Sequence, residues 1–390
     1  MCRSIEAPLD LRKDRSMLLR IAVTLLIAPL LGIAADQAAA QSPAPPDAGQ
    51  APAALAPNIL DTDRCGDYFI AIATIDGEGP FRMLLDTGAS VTIVSPDTAA
   101  RADIGGRIRE IKIGDLKLSG TIRYQTRDIS HISRALGTHI DGILGHPVLR
   151  AVLLTYDYPA GEVRYGIGEL TEDMPGIAPM AKGNRPFIGA LIGDDKTNVL
   201  LDTGFSGGLS LEDFDDLPFA ADPIVTGVRT RIDGLSLGRS ARLAADMTFG
   251  PFTVATPVVS NAERSSLLGT AILRDFLVTV DQQSGLVQMV RPDGTAQQAP
   301  IEIGSAVSFG VVSVPLFDGN RIERIVPGSS AERAGLQPGD VVIAIDGEPV
   351  AQVRCEARTV EIEAGDTAVY TIRRGADRFE VELEAVVIVP

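Results

Sequence analysis

The chain has 390 residues, of which 45% are hydrophobic and 22% are charged, so it is long enough for two or three globular domains. Its formal net charge of −16 at pH 7 excludes a nucleic-acid partner, because phosphate binding needs a basic face that this sequence does not supply. The 39 glycines and the absence of tryptophan indicate turn-rich β structure.

Residues 1–40 are predicted to be a secretory signal peptide. Basic residues precede an apolar run at residues 21–34, and small residues ending at Ala40 follow it. The run has 14 residues, fewer than the about 20 that a membrane helix needs, so we expect cleavage and no stable membrane span. The protein is therefore expected to be bacterial and exported, periplasmic or secreted. Residues 41–57 are rich in Pro and Ala and predict an extended linker.

The sequence LLDTG occurs twice, at residues 84–88 and 200–204. An apolar strand and a Gly/Asp turn precede each copy, and an apolar pair plus glycine, ILG or LLG, comes later in each. The stretches that begin at these glycines, 145–163 and 269–287, align without a gap and share eight of nineteen residues. The chain therefore contains an internal repeat.

These repeated motifs resemble the retropepsin-like aspartic peptidases, whose half-site is a DTG loop plus a later apolar-apolar-Gly segment. The resemblance implies a mainly β fold in which residues 58–170 and 185–292 form two lobes of an intramolecular pseudo-dimer. In that family two such lobes meet, usually as a homodimer, and each contributes one catalytic aspartate. Because this chain carries both lobes, we expect a monomer.

The resemblance also implies that Asp86 and Asp202 are the catalytic residues. Two carboxyl groups about 3 Å apart share one proton, so one acts as the base toward water and the other supports the developing oxyanion. The neighbouring threonines are suited to hydrogen bonds between the lobes, and the glycines permit close approach of backbone and substrate. These supporting residues are Thr87, Gly88, Thr203 and Gly204. The mechanism needs no metal and no organic cofactor.

Two other interpretations stay open. The stretch GFSGG matches a G-x-S-x-G pattern and makes Ser206 a candidate nucleophile of a serine protease. The histidines all precede Ser206 in the chain: His131, His139 and His146. This excludes the α/β-hydrolase order of catalytic residues, in which the histidine comes last, but it leaves the trypsin-like order, in which the histidine comes first. Their spacings fit no compact metal-ligand motif. The other interpretation is a non-catalytic peptide-binding protein with the same fold, against which the two intact DTG loops count.

Three local features are left open by the sequence. The flap over the cleft is assigned to one of two hairpins, residues 103–120 or 225–240, and each also fits an ordinary hairpin. Phe205 stands where the first loop has an alanine. It either narrows the cleft beside one carboxylate or packs into the core of the second lobe, and we expect the packing. Cys65 and Cys355 remain after signal removal, and both a disulfide and two free thiols are compatible with their positions.

Residues 301–390 resemble a bacterial PDZ domain. Residues 322–350 predict a strand, a capped short helix, a Pro-Gly-Asp turn and a second strand. The resemblance implies a small α+β domain that binds an extended peptide by strand addition, with Phe309, Gly310 and Val311 in the binding loop. The alternative is a PDZ domain that only docks on the lobes. The sequence thus predicts an exported aspartic endopeptidase whose partners are a peptide or protein substrate and a PDZ-bound peptide or protein.

Overall fold

The computed structural model describes residues 57–181, 183–231, 234–296, 300–352, 355 and 362–390. The predicted signal peptide and nearly all of the predicted linker lie outside the described residues. The described chain is mainly β, as the sequence predicts, and its strands form several curled sheets. Within these ranges, no helix combines the length and the apolar character that crossing a membrane requires.

The first lobe consists of short strands, because its apolar residues alternate over brief runs that turns interrupt. Its first helix starts after Ser95, whose hydroxyl accepts a hydrogen bond from the Thr98 N–H. Its elements, with the linker strand that follows, are β1 (Asn58–Ile59), β2 (Thr62–Cys65), β3 (Tyr68–Ile75), β4 (Glu78–Asp86), β5 (Thr92–Val94), α1 (Pro96–Arg101), β6 (Ile108–Ile113), β7 (Leu116–Ile122), β8 (Tyr124–Thr126), α2 (Ser130–Leu136), β9 (Gly142–Gly145), α3 (His146–Leu149), β10 (Leu153–Asp157), β11 (Glu162–Gly166) and β12 (Ile177–Pro179).

The second lobe repeats this plan, with a longer hairpin in its middle. Its elements are β13 (Phe187–Ile192), β14 (Asp195–Leu201), β15 (Leu209–Leu211), a 3-10 turn (Phe214–Asp216), β16 (Ile224–Arg231), β17 (Gly234–Arg242), β18 (Met247–Phe249), β19 (Phe252–Ala255), β20 (Val258–Asn261), β21 (Leu267–Leu268), α4 (Thr270–Leu273), β22 (Leu277–Asp281) and β23 (Leu286–Val290).

Both lobes place the DTG loop by the same strand pairing. The strand before each loop runs parallel to the strand of the apolar-apolar-Gly segment: β4 to β9 and β14 to β21. Leu84 lies opposite Ile143, and Leu200 lies opposite Leu267. Because these residues are buried or nearly so, the two segments that the sequence repeats form the packed support beneath each loop.

The lobes are joined by one antiparallel sheet with the strand order β1-β11-β10-β22-β23-β12. At its centre β10 of the first lobe pairs with β22 of the second lobe. Thr155 and Thr279 lie opposite each other there, with their hydroxyl oxygens 2.8 Å apart and both side chains buried. One hydrophobic core spans the two lobes and includes Phe69 and Phe252. The lobes therefore form one packed body.

The carboxyl-terminal segment forms its own small sheet and its own apolar core, which includes Ile322 and Leu383. Its elements are β24 (Ile301–Glu302), β25 (Ala306–Ser308), β26 (Val311–Pro315), β27 (Asn320–Ile325), α5 (Ser330–Arg333), β28 (Val341–Ile345), β29 (Glu348–Pro349), a 3-10 turn (Val350–Gln352), β30 (Thr367–Arg374), β31 (Asp377–Glu384) and β32 (Val386–Val389).

Strand pairing, packing contacts and a disulfide hold this segment to the lobes. β24 pairs in parallel with β19 of the second lobe, and β26 lies beside β16. Cys65 and Cys355, whose pairing the sequence leaves open, form a disulfide with their Cα atoms 4.9 Å apart. The bond joins the first lobe to the carboxyl-terminal segment across a sequence separation of 290 residues.

We expect Thr155→Val to lower the free energy of unfolding by on the order of 1–2 kcal/mol, because it leaves the buried Thr279 hydroxyl without its partner. The double variant Thr155→Val/Thr279→Val should cost less than the sum of the two single changes, since neither polar group then remains unpaired. Urea unfolding of the four proteins measures this coupling. Strictly additive losses would contradict a stabilising bond between the lobes.

Candidate active site

The two DTG loops meet at the junction of the lobes and bring Asp86 and Asp202 together. The Ala89 N–H donates to Asp86 Oδ1 at 2.8 Å, and the Gly204 N–H donates to Asp202 Oδ1 at 2.8 Å. The two carboxyl groups also hydrogen-bond to each other. Each loop therefore holds its own carboxyl group by a backbone donor and presents it to the other lobe.

The carboxyl group of the opposite lobe leaves room only for glycine at the third position of each DTG motif. A Cβ built on Gly88 would lie 2.6 Å from Asp202 Oδ1, and one built on Gly204 would lie 2.6 Å from Asp86 Cγ. Both distances are shorter than side-chain atoms tolerate. A side chain at either position would thus push the two carboxyl groups apart. Glycine is needed here because the opposite carboxyl group comes so close, and not because of the backbone dihedral angles.

The two threonines form a reciprocal hydrogen-bond network between the lobes. The Thr87 N–H donates to Thr203 Oγ1 and the Thr203 N–H donates to Thr87 Oγ1, each at 3.1 Å. The Thr87 hydroxyl donates to the Leu201 carbonyl at 2.6 Å, and the Thr203 hydroxyl donates to the Leu85 carbonyl at 2.9 Å. Both threonines are only 1% exposed, so this network is shielded from water. It fixes the separation of the loops.

Burial and mutual repulsion favour a single shared proton in the aspartate pair. Burial raises the pKa of Asp86, although the backbone N–H groups of Ala89 and Gly88 oppose that rise. The pKa of Asp202 lies well above its ordinary range, first because of burial and then because of the neighbouring Asp86 charge. The two carboxyl groups therefore titrate as one pair, which holds one proton between them over the interval separating its two macroscopic pKa values.

Arg185, which sequence analysis did not identify, is a cation beside this pair. Its Nη1 donates to the Gly88 carbonyl at 3.1 Å, and its guanidinium lies 5.0 Å from the centre of the Phe187 ring. Its positive charge lowers the pKa of both Asp86 and Asp202, against the effect of burial. The residue is the first of the predicted second lobe, and no motif there indicates that it turns toward the first DTG loop.

The aspartate pair lies in a cavity of about 1190 Å³ that both lobes and the carboxyl-terminal segment line. Phe205 is half-buried and lines this cavity, so our expectation that it packs into the core of the second lobe is wrong. A Cβ on Gly207 would meet its ring, which shows that the tight turn after the second DTG motif holds the ring at the cavity wall. Phe205 therefore shapes the cavity on one side only.

Of the two hairpins considered as a flap, the one in the second lobe reaches the cavity. β16 contributes Val228 and Arg229 to the lining and contacts α2 of the first lobe. The hairpin of β6 and β7 pairs with β3 at the edge of its sheet and contributes no described residue to the lining. The cavity is thus bordered asymmetrically, although its aspartate pair is symmetric.

Ser206 lies exposed in the cavity, and its side chain hydrogen-bonds to Tyr68, a second cavity residue that sequence analysis missed. None of the three histidines, all of them described, lines the cavity. His139 Nε2 lies 3.2 Å from Asp141, and His146 Nε2 lies 2.7 Å from Gln282. The serine is therefore paired with the phenol of Tyr68 and not with a histidine. Burial raises the pKa of that phenol.

The predicted PDZ loop is ordered by contacts within its own domain. The Phe309 ring lies 5.5 Å from the Tyr370 ring, centre to centre. Gly310 has a φ of +91°, and a Cβ there would overlap the Ser329 side chain, so this position requires glycine. Val311 begins β26, the terminal strand of the sheet. The loop thus leads directly into a strand that pairs with β27 and lies beside β16.

We expect Arg185→Gln to raise both macroscopic pKa values of the aspartate pair. A nearby cation favours the ionised carboxylate, so its removal makes each proton harder to lose. NMR titration of the Asp carboxyl carbons measures the change, and Arg185→Lys, which keeps the charge, serves as the matched control. Values that shift equally in the two variants would show that Arg185 acts only through packing.

Two family models match parts of this chain. Residues 71–107 match a family model described as aspartyl protease, and residues 321–366 match one described as PDZ domain. Over 154 residues the chain is 27% identical to a Synechocystis sp. protein named "Putative serine protease HhoA", which covers 32% of this chain and 39% of that protein. The chain thus spans about two fifths of the length of that relative. This protein therefore combines an aspartyl protease domain near its amino terminus with a PDZ domain at its carboxyl terminus.

Proposed function

We propose that this protein is an exported aspartic endopeptidase that acts as a single chain. The observation that carries the proposal is the pair of carboxyl groups, one from each lobe, that hydrogen-bond to each other above the threonine network. Each carboxyl group comes from a DTG loop of the same chain, so the pair is complete without a second copy. Export rests on the signal-peptide pattern of the first 40 residues.

In the proposed reaction Asp86 acts as the base and Asp202 as the acid. Asp86 accepts backbone N–H bonds that stabilise its ionised form, and it removes a proton from the water that attacks the peptide carbonyl. Asp202 donates its proton to the carbonyl oxygen as the tetrahedral intermediate forms. When the intermediate collapses, Asp86 passes its proton to the leaving nitrogen, the C–N bond breaks, and Asp202 recovers a proton from the gem-diol.

The alternative is a serine protease, which the name of the Synechocystis relative favours. That similarity supports peptide hydrolysis as the broad activity. The aspartic type is supported by the match of residues 71–107 to an aspartyl protease model and by the position of Asp86 within that match. Ser206 is paired with Tyr68, and no described residue lining its cavity is a histidine. A serine nucleophile needs a neighbouring base, usually a histidine, so this arrangement counts against the serine mechanism.

Turnover of a quenched peptide by three variants distinguishes these mechanisms. Asp86→Asn and Asp202→Asn should each lower kcat by at least about 10³-fold, and the double variant should lose little more, because the two carboxyl groups act as one unit. Ser206→Ala, the matched control in the same loop region, should keep most of the activity. An active Asp variant or an inactive, folded Ser206→Ala would overturn the proposal.

The Asp202→Asn variant is also expected to be more stable than the native protein at neutral pH. Folding raises the pKa of Asp202, so the folded state retains a proton that the unfolded chain releases, and stability falls as pH rises through that interval. Asparagine avoids this cost. We expect the free energy of unfolding to rise by on the order of 1 kcal/mol at neutral pH. This gain should disappear at a pH below the pKa range of ordinary carboxyl groups, and urea unfolding at the two pH values measures it. An equal gain at neutral pH and below the ordinary carboxyl range would show that the gain does not come from the raised pKa of Asp202.

A further inference from the structure

The cavity that holds the aspartate pair is richer in basic side chains than the chain as a whole. The chain has 35 Lys and Arg against 51 Asp and Glu, whereas the described cavity lining has five arginines against two acidic residues outside the aspartate pair. The arginines are Arg127, Arg185, Arg229, Arg264 and Arg274. The cavity is thus locally basic in a protein with a net charge of −16.

Screening by salt decides which of these two charge balances acts on a bound substrate. At physiological ionic strength the Debye length is about 8 Å, so charges on the outer surface act weakly on a side chain inside the cavity. The low-dielectric walls of a cleft strengthen the field of the charges that line it. An acidic side chain is therefore attracted inside the cavity despite the net charge of the chain.

Two of the arginines face acidic groups of the site itself. The charge of Arg185 lowers the pKa of both members of the aspartate pair. Arg274 Nε lies 3.7 Å from Asp67 Oδ2, and both residues line the cavity. The charges of these two arginines are therefore balanced in part within the site.

Arg127 is a cavity cation whose described side-chain partner is neutral. Its Nε donates to Gln125 Oε1 at 3.0 Å, and Gln125 lines the cavity as well. Arg127 is exposed, and no carboxylate of the described residues forms an ion pair with it. With Nε bonded to Gln125, the two Nη groups carry the donors for a further partner, and their planar arrangement fits a carboxylate.

The sheet of the first lobe places Arg127 at a distance from the aspartate pair. Arg127 directly follows β8, and its N–H donates to the carbonyl of Val94 at the end of β5. β8 is separated from β4, the strand that ends at Asp86, by β9 and β5. Three strand spacings correspond to about 14 Å, which an extended peptide covers in about four residues. A substrate carboxylate at this distance also avoids repulsion by the ionised member of the pair.

We propose that Arg127 is a specificity-determining residue, and that the cleft selects polypeptides with an acidic side chain about four residues from the scissile bond. This inference rests on the proposed function and deepens it, because it names acidic peptide segments as the substrate class. The ligand of Arg127 is the side-chain carboxylate of an Asp or Glu of the substrate. Neutral segments are cleaved as well, but less efficiently.

The first test uses the native protein and quenched peptides with blocked ends, so that only side-chain carboxylates are present. All peptides share one cleavage site, mapped in an unfolded protein, and a single Glu or its neutral match Gln is moved along both flanks. We expect Glu about four residues from the scissile bond to raise kcat/KM over Gln by about fivefold at low ionic strength, as a partly exposed ion pair does. A Glu/Gln ratio of one or less at every position overturns the inference.

Ionic strength separates an effect of charge from an effect of shape. The Glu/Gln ratio of kcat/KM should fall toward one as salt is raised to about 1 M, where the Debye length is about 3 Å. A preference for Glu that salt leaves unchanged would mean that the side chain is recognised by its shape, and would overturn the role given to the arginine.

Two arginine variants locate the residue that binds the carboxylate. Arg127→Gln removes the cavity cation, and Arg123→Gln removes a nearby exposed arginine that the described cavity lining does not include. The readout is the Glu/Gln ratio within each protein, so a general change in activity cancels. The ratio should fall to about one in Arg127→Gln and keep its native value in Arg123→Gln, and Arg127→Glu should favour Lys over Gln at the same position. A Glu preference that persists in Arg127→Gln overturns the inference.

A failure of this inference is distinguishable from a failure of the proposed function. If the native protein leaves all of the peptides uncleaved, or if Asp86→Asn still cleaves them, the proposed function fails and the inference fails with it. If the peptides are cleaved through the aspartate pair but Glu brings no gain over Gln, only the role assigned to Arg127 is wrong.

Discussion

The reciprocal hydrogen bonds between Thr87 and Thr203 are the constraint on which the rest of the structure depends. Each threonine bonds the backbone of the other lobe, so neither DTG loop can shift without breaking bonds in a buried site. Because the loops are fixed, Gly88 and Gly204 can lie against the opposite carboxyl groups, and the carboxyl groups can share a proton. Fusion of the two lobes in one chain supplies this contact without dimerisation.

The same arrangement has an energetic cost that the surroundings limit only in part. Burial raises the pKa values of both Asp86 and Asp202, which means that ionising either is less favourable in the folded protein than in water. Arg185 and the backbone N–H donors act in the opposite direction and keep ionisation of one member accessible. The central sheet and the shared core then carry the stability that the site itself does not supply.

The sequence predicts those parts of the site that local pattern determines. Asp86, Asp202 and their glycines belong to a repeated motif, so their convergence follows from the repeat and from the resemblance it carries. Arg185 and Tyr68 belong to no motif, and only the packing of the chain turns them toward the aspartate pair. Phe205 was wrongly assigned to the core because hydrophobicity alone does not distinguish a core from the wall of a cleft. The disulfide of Cys65 and Cys355 depends on domain placement, which two distant cysteines do not specify.

The symmetric pair of carboxyl groups lies in an asymmetric cleft, and the asymmetry follows from how the two lobes differ. The β6–β7 hairpin of the first lobe stays on its sheet, whereas the β16–β17 hairpin of the second lobe reaches the cavity. Buried Tyr156 and Tyr158 lie only on the first-lobe side, where the repeat has Val280 and Gln282 in the second. The PDZ strand β26 lies beside β16 and also contributes residues to the cavity lining. A homodimer of identical lobes has two equal borders to its cleft. Fusion removes that symmetry requirement, so the two lobes can border the cleft differently and a further domain can line it as well.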